Sequence, residues 1–323
     1  MTTPIDFDDC GDLDLPMQLI LRDEDGNDIE VIPINGPDVD FSTGIALLQG
    51  YSGFYHTPIT QVRKSYAYQP GATLSDYPRV EERILEFRLG TKARNWRGLR
   101  AVESLLWRVL NFRHDCILRV YFDTGVDDWR EIAIRLERKP KDLMKLAPGR
   151  SKAFAWDITA LACDPYWYSK ELWDEVTFDT GTGSGATRVS NRVLQVPNPA
   201  DQECWLEYAT NELTATSTFT LPDGLAVYPA GHALAGQRIT HTIPPMGAGK
   251  SFLIETYPLN LTLQPMDESQ GVALMKAEDF ISPLPPGTNE PVDLPVTLVG
   301  GTAATKLAVY AVQKWDRFFG GEV

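Results

Sequence analysis

Two Asp-Thr-Gly tripeptides, Asp123-Thr124-Gly125 and Asp179-Thr180-Gly181, each follow a phenylalanine. Paired carboxylates on such loops can share a proton and activate water, the chemistry of aspartic peptidases. Those enzymes take each acid from its own large lobe, but only 56 positions separate Asp123 from Asp179. The same tripeptide makes a good turn after a strand. Gly247-Ala248-Gly249-Lys250-Ser251 ends like a phosphate-binding loop, but Pro244 stands where that loop needs its first glycine, and the residues after it read as a strand. Gly181 to Gly185 gives G-x-G-x-G without a surrounding βαβ unit, which predicts a flexible loop. His56, His114, His232 and His241 form no metal-binding pair, and no G-x-S-x-G elbow occurs. Trp205 or Trp315 could stack a sugar, though aromatics of this kind more often fill a core or an interface. No catalytic constellation emerges, and the expectation is a non-enzyme without cofactor, catalytic or metal-binding residues.

The elements that would carry these residues are mostly strands. Pro16 to Arg22 and Asp28 to Ile34 flank Asp23-Glu24-Asp25-Gly26-Asn27, which is hairpin chemistry. Ile59 to Tyr68 and Val80 to Leu89 flank Gln69-Pro70-Gly71 and predict a long antiparallel arm across 59–90. Arg63, Lys64, Arg79, Arg83 and Arg88 fall on it. Asn95 predicts an N-cap for a helix running to about Asn111, with Trp96, Leu99, Val102, Leu106 and Val109 as one apolar stripe against a sheet. Three further strands are expected at 117–122, 131–138 and 153–163. The last runs into Asp164-Pro165-Tyr166-Trp167-Tyr168, where proline ends the strand and the aromatics seal the edge of a first core.

From about residue 171 lysine and arginine thin out while Thr, Gly and Pro rise. Alternating stretches at 215–221, 238–243, 259–264 and 307–312, with turns at Leu221-Pro222-Asp223-Gly224 and Val299-Gly300-Gly301-Thr302, predict a β-sandwich. The expected division is therefore 1–170 and 171–323, in keeping with 323 residues being long for one core.

The chain is acidic, with a formal charge of −14, which argues against a general nucleic-acid binder and against docking on anionic lipid. Its longest apolar run, Leu307 to Val312, has six residues, far short of a membrane span. The acidic start predicts no secretory signal, and four scattered cysteines fit free thiols, so folding in a cytoplasm is expected. Charge is divided into blocks: residues 1–50 carry −11, residues 51–170 carry +7 and residues 171–323 carry −10. Solvated surfaces can scatter charge in this way. The sharper reading is self-complementarity, an acidic region of one copy meeting a basic region of the next.

The stretch Ala155-Trp156-Asp157-Ile158-Thr159-Ala160-Leu161-Ala162-Cys163-Asp164-Pro165-Tyr166-Trp167-Tyr168-Ser169 resembles the junction of distal tail proteins of long-tailed bacteriophages, in particular the minor tail proteins of actinobacterial phages. Asn198-Pro199-Ala200-Asp201 with Trp205, and Pro285-Pro286-Gly287-Thr288 leading to Trp315, are similar to the family's C-terminal domain. The acidic arm from Asp6 to Asp14 departs from the family pattern. The resemblance implies a mainly β fold: an N-terminal tail-tube-like domain with one flanking α-helix, and a C-terminal galectin-like β-sandwich. It further implies a homohexameric ring at the distal end of the virion tail, joining the tail-tube protein to the tail-tip or baseplate hub. The tape-measure and receptor-binding proteins would be further partners, and DNA would pass through the channel without specific binding. The residues expected at interfaces are basic Arg63, Lys64, Arg79, Arg83 and Arg88, with Asp6, Asp8, Asp9 and Asp12 as acidic counterparts. An adhesin using the sandwich to bind carbohydrate is the alternative, and an aspartic-type peptidase the remote one.

Overall fold

A computed structural model describes residues 15–36, 44–122 apart from 67, 69, 76 and 77, 128–143, 152–260 apart from 212, 262–265 and 279–321. The chain divides into two compact units. The first comprises Met1–Ser169 with Asp316–Gly320, and the second Lys170–Trp315 with Gly321–Val323.

The first unit begins with a hairpin, β1 (Met17–Arg22) and β2 (Asp28–Asn35). Its turn closes because the Asp23 carboxylate accepts from the backbone N–H of Asp25 (3.0 Å) and Asn27 (2.7 Å), while Gly26 takes a left-handed φ of +83°. β3 is Ile45–Ser52. Four two-residue strands follow: β4 (Ile59–Thr60), β5 (Arg63–Lys64), β6 (Thr73–Leu74) and β7 (Arg79–Val80). β8 (Arg83–Lys92) leads into α1 (Trp96–Val109). Then come β9 (Cys116–Tyr121), β10 (Trp129–Leu136), β11 (Lys141–Asp142), β12 (Ala153–Ala162) and β13 (Trp167–Ser169).

The strands order as β2-β1-β9-β10-β12-β8-β3, with β11 on β12 and β13 on β10. Strand β10 serves three partners: Trp129–Ile134 pair with β9, Arg130 and Glu131 with β13, and Arg135 and Leu136 with β12. Leu19, Leu85, Phe87, Leu118, Ile132, Ile134 and Ile158 are buried on the face that carries α1. The helix starts where Asn95 Oδ1 accepts the Gly98 N–H at 2.8 Å, and Leu99, Leu106 and Val109 form its buried face. The predicted stripe is shorter at its start, because Trp96, the first helical residue, is 57% exposed.

The arm also differs from expectation. Its two short ladders pair β4 with β7 and β5 with β6, so the hairpin spans 59–80. Arg83 and Arg88 belong instead to β8, which pairs with β12 over its full length. The extended reading failed because residues 81–82, which lie in no strand, separate two strands that the apolar pattern alone joins.

The second unit is a sandwich. One sheet orders β14 (Leu172–Thr177), β22 (Lys306–Ala311), β16 (Leu206–Thr210), β19 (Phe252–Glu255) and β20 (Leu263–Pro265). The other orders β15 (Val189–Asn198), β21 (Thr288–Val299), β17 (Thr218–Val227) and β18 (Arg238–Ile243). Leu194, Phe219, Leu294 and Leu298 from one sheet pack with Tyr208, Phe252, Leu307 and Val309 from the other in one core.

Two sequence expectations fail here. Leu221-Pro222-Asp223-Gly224 is not a turn: β17 runs through it with a register shift between Pro222 and Val227. Asp223, fully buried, accepts N–H groups from Ile281 (3.1 Å) and Ser282 (2.9 Å) and faces His241 Nε2 at 3.3 Å. Gly224, at φ +49°, lies where an added Cβ would be 2.3 Å from the Ser282 carbonyl oxygen. A Pro-Asp-Gly sequence thus builds a bulge that fixes a crossing segment. Alternation at 259–264 also misleads, since the strand begins only at Leu263 and Leu259 is 83% exposed.

Candidate assembly surface

Residues 59–66, 68, 70–74 and 78–80 of the arm are all exposed. Isolated two-stranded hairpins are marginal in water because they bury almost nothing. This one nonetheless displays Ile59, Val62, Tyr66, Tyr68, Leu74 and Val80 to solvent. Arg63, Lys64 and Arg79 stand among them. Such a mixture of apolar, aromatic and basic side chains has the composition of an interface. The sequence showed the charges, but not that the neighbouring apolar residues lack a core of their own.

The arm is rooted on Arg83, which lies at the strand end where the arm rejoins the sheet. Arg83 is not on a surface: it is fully buried. Its Nε donates to the Pro165 carbonyl at 2.6 Å. One terminal nitrogen donates to the carbonyls of Gly53 (3.0 Å), Phe54 (2.9 Å) and Tyr55. The other reaches Thr57 Oγ1 (2.9 Å) and the Asp316 carbonyl (2.6 Å). Burial lowers its pKa to about 10, and the nearby Asp316 charge opposes that fall. The cation is thus held chiefly by carbonyl dipoles, which fix the loop before the arm, the Asp-Pro corner and the segment 316–320 around one side chain. Gly53 permits this, because at φ +82° an added Cβ would sit 2.0 Å from the Ile84 carbonyl oxygen.

The same node holds aromatic residues. Trp167 is fully buried and donates its indole N–H to the Phe54 carbonyl at 3.1 Å. Phe54, Trp167 and Phe318 pack with centroids about 6 Å apart. A second buried arginine, Arg130, donates to the carbonyls of Arg317 (2.8 Å) and Gly320 (2.6 Å). Burial would raise the Asp316 carboxyl, but Thr57 and His56 hydrogen bonds hold it below its ordinary value. Asp164 closes the corner by accepting from the Tyr166 N–H at 3.2 Å and from the Tyr168 hydroxyl. The Asp-Pro-Tyr-Trp-Tyr run is therefore a structural junction.

Arg88 projects from the open face of β8 and pairs with Asp157 of β12 at 2.7 Å, with half its side chain exposed. Asp6, Asp8, Asp9 and Asp12 lie outside the described residues. The proposed charge set is thus divided: Arg63, Lys64 and Arg79 share the arm, Arg88 is on the sheet, and Arg83 is internal.

The Asp-Thr-Gly and Gly-Ala-Gly-Lys-Ser segments are placed as follows. Asp179 accepts from the Thr180 N–H at 2.9 Å and from Arg192, whose hydrogen bond and charge hold its carboxyl below the usual range. Asp123 lies outside the described residues. Gly249 and Lys250 make reciprocal backbone hydrogen bonds with Leu213, and a strand follows them. Among the described residues no group of three His, Cys, Asp or Glu side chains could hold a metal ion, and no helix is long and apolar enough to cross a membrane.

No family model matches the sequence, and no curated protein matches it either. Solved structures do match. The Dit protein (gp 19.1) of phage SPP1, described as a paradigm of the hub adsorption apparatus of phages infecting Gram-positive bacteria, aligns over 92% of this chain and 98% of its own, with a TM-score of 0.54 and 13% identity. Chains of the phage p2 baseplate in its activated conformation, with calcium and with strontium, align over 94% of this chain and 99% of theirs, with TM-scores of 0.50 and 11% identity.

Proposed function

We propose that this chain, which shares its fold with phage Dit and baseplate proteins over more than nine-tenths of its length, is a distal tail protein: a structural, non-catalytic component of the virion tail tip. The observation that carries the reading is that the alignment covers 92–94% of this chain and 98–99% of the neighbours, which embraces both units. In this reading the first unit forms a homohexameric ring between the tail-tube protein and the tail-tip or baseplate hub. DNA passes through its channel without specific binding, tape-measure and receptor-binding proteins are further contacts, and assembly precedes release from the host cytoplasm. The arm supplies the contact between subunits or adjacent rings, with Arg63, Lys64 and Arg79 meeting acidic surface and the exposed tyrosines burying their rings. Closed rings use heterologous contacts, in which two different patches meet, and the exposed arm is half of such a pair.

Negative-stain images and sedimentation of the purified chain test this. Sixfold rings are expected, and a monomer at every concentration, alone and with tail-tube protein, would remove the proposal. An adhesin remains the second reading, supported by Trp173, 60% exposed on β14. Glycan binding that is abolished by Trp173→Ala would favour it. Peptidase activity lost in Asp123→Asn would favour an enzyme instead.

A further inference from the structure

One sheet of the second unit turns an aromatic and acidic row to solvent. Trp173 of β14 lies across from Tyr310 of β22, Tyr310 across from Glu207 of β16, and Glu207 across from Glu255 of β19. Residues paired in this way project to the same side of a sheet, and their neighbours along the strands, Tyr208, Ile254 and Val309, fill the core. The four side chains therefore stand outward in one line, three strand spacings or ~14 Å long. Trp173 is well exposed, while Tyr310, Glu207 and Glu255 are half-buried. On one side of the row the small Ala308 and Ala209 lie between Glu175 and Leu253 and make a low floor. On the other, Trp205 and Tyr257 meet edge to face at 5.8 Å. Glu207 and Glu255 are like charges directly opposite each other, which costs stability in the absence of a cation. The Asn260 amide donates to Glu255, and Lys306 is taken by Glu175 at 2.7 Å. Lys314, whose Nζ lies 5.4 Å from the Tyr257 ring, offsets part of the repulsion that Glu255 and Glu171 exert on Glu207. Two carboxylates beside two aromatic rings suit a cation flanked by apolar groups, since ring faces attract cations as well.

The arm displays that combination. Residues 59–80 hold Arg63, Lys64 and Arg79 against one acid, Asp76. Apart from Ser75, the described arm residues are exposed, so their own copy leaves them uncovered. In extended backbone Val62, Lys64 and Tyr66 share one side, an ammonium between an apolar and an aromatic group at steps of ~7 Å. We propose that the arm of one copy lies on this face of another, with Lys64 between Glu207 and Glu255 and Tyr66 against Tyr310 and Trp173. Charge complementarity selects a second copy as the occupant: residues 51–170 carry +7 and residues 171–323 carry −10. The inference rests on the reading that copies of this chain associate, and it names the acidic surface that the arm meets.

Zero-length carbodiimide coupling of the full chain, read by mass spectrometry, tests it, because it joins only carboxylates and amines already in contact. The expected product links Lys64 to Glu207 or Glu255. In an equal mixture of light and nitrogen-15-labelled protein, these links should include light-to-heavy pairs. Yield should fall several-fold in Trp173→Ala and in Tyr66→Ala, which keep every coupling group, and also in ~1 M salt, where the screening length is about 3 Å. Melting should be unchanged in both variants, since each removes an exposed side chain. Lys64→Glu should weaken association several-fold in sedimentation, and Glu207→Lys with Glu255→Lys in the same chain should restore it. Rings in negative stain without the Lys64 link, links confined to one isotope, or a yield indifferent to Trp173→Ala would each overturn this inference and leave the assembly reading standing. Neither rings nor links would remove both. Glycan binding at this face without the Lys64 link would assign it to sugar instead.

Discussion

Arg83 carries a charge into a buried site and is bonded there mainly to carbonyl oxygens. Removing it orphans those oxygens as well as losing the bonds. Arg83→Met keeps much of the volume but none of the donors, so unit 1 should lose about 3 kcal/mol or more. That corresponds to a fall of roughly 6–12 °C in its thermal transition, measurable by calorimetry. A residue in a loosely held surface contact would cost little by the same measure. The sequence held a usable signal: Arg83 shares its parity with Leu85, Phe87 and Leu89, the buried face of β8, while Arg88 shares parity with exposed Ile84 and Glu86. Charge led to a surface reading, and strand periodicity would have corrected it.

Glu207 offers a test of sign in unit 2. It lies directly across from Glu255 on β19, and burial, then the Glu255 and Glu171 charges, raises its pKa. A carboxyl with a raised folded-state pKa contributes stability below its ordinary value and loses it as pH rises through the folded value. Glu207→Gln should therefore raise the melting temperature of unit 2 at neutral pH, by the equivalent of up to about 1 kcal/mol. Below pH ~4 the gain should vanish. A gain that persists in acid would point to packing instead of charge.

At the scale of elements, the arm and the segment 316–320 behave oppositely. Among its described residues the arm buries none, so replacing residues 61–78 with a short Gly-Ser turn should leave the melting of unit 1 within about 1 kcal/mol of the parent. The same change should abolish rings in negative stain. Arg63→Glu with Lys64→Glu should weaken assembly while preserving the fold, by circular dichroism and sedimentation together. The segment 316–320, in contrast, completes the first core: Phe318 is 2% exposed against Phe54 and Trp167. Phe318→Ala should cost unit 1 about 3–5 kcal/mol, although the residue stands near the other end of the sequence. Local pattern located the hairpins, the helix and its Asn95 cap, because each depends on neighbours within a few positions. It misplaced the end of the arm and read Pro222-Asp223-Gly224 as a turn, because those outcomes depend on partners at 281–282 and across the sheet.

At the scale of the whole molecule, an acidic block, a basic block and a second acidic block suit contacts between unlike patches. Ring formation driven this way should weaken as salt rises from ~0.05 to ~1 M, because exposed charges are screened over shorter lengths. Assembly indifferent to salt would leave the apolar residues of the arm as its sole basis. The net charge of −14 still argues against tight DNA binding, in keeping with the proposal that DNA passes through the ring without being held. Composition, alternation and turn residues were enough to specify a mainly β chain with one helix, since those depend on short-range patterns. Folding was needed to make Arg83 internal, to bring residues 316–320 back to the first unit, and to leave the arm's tyrosines uncovered. Burial is a property of what arrives from far along the chain, and no local pattern encodes which distant segment will cover a given side chain.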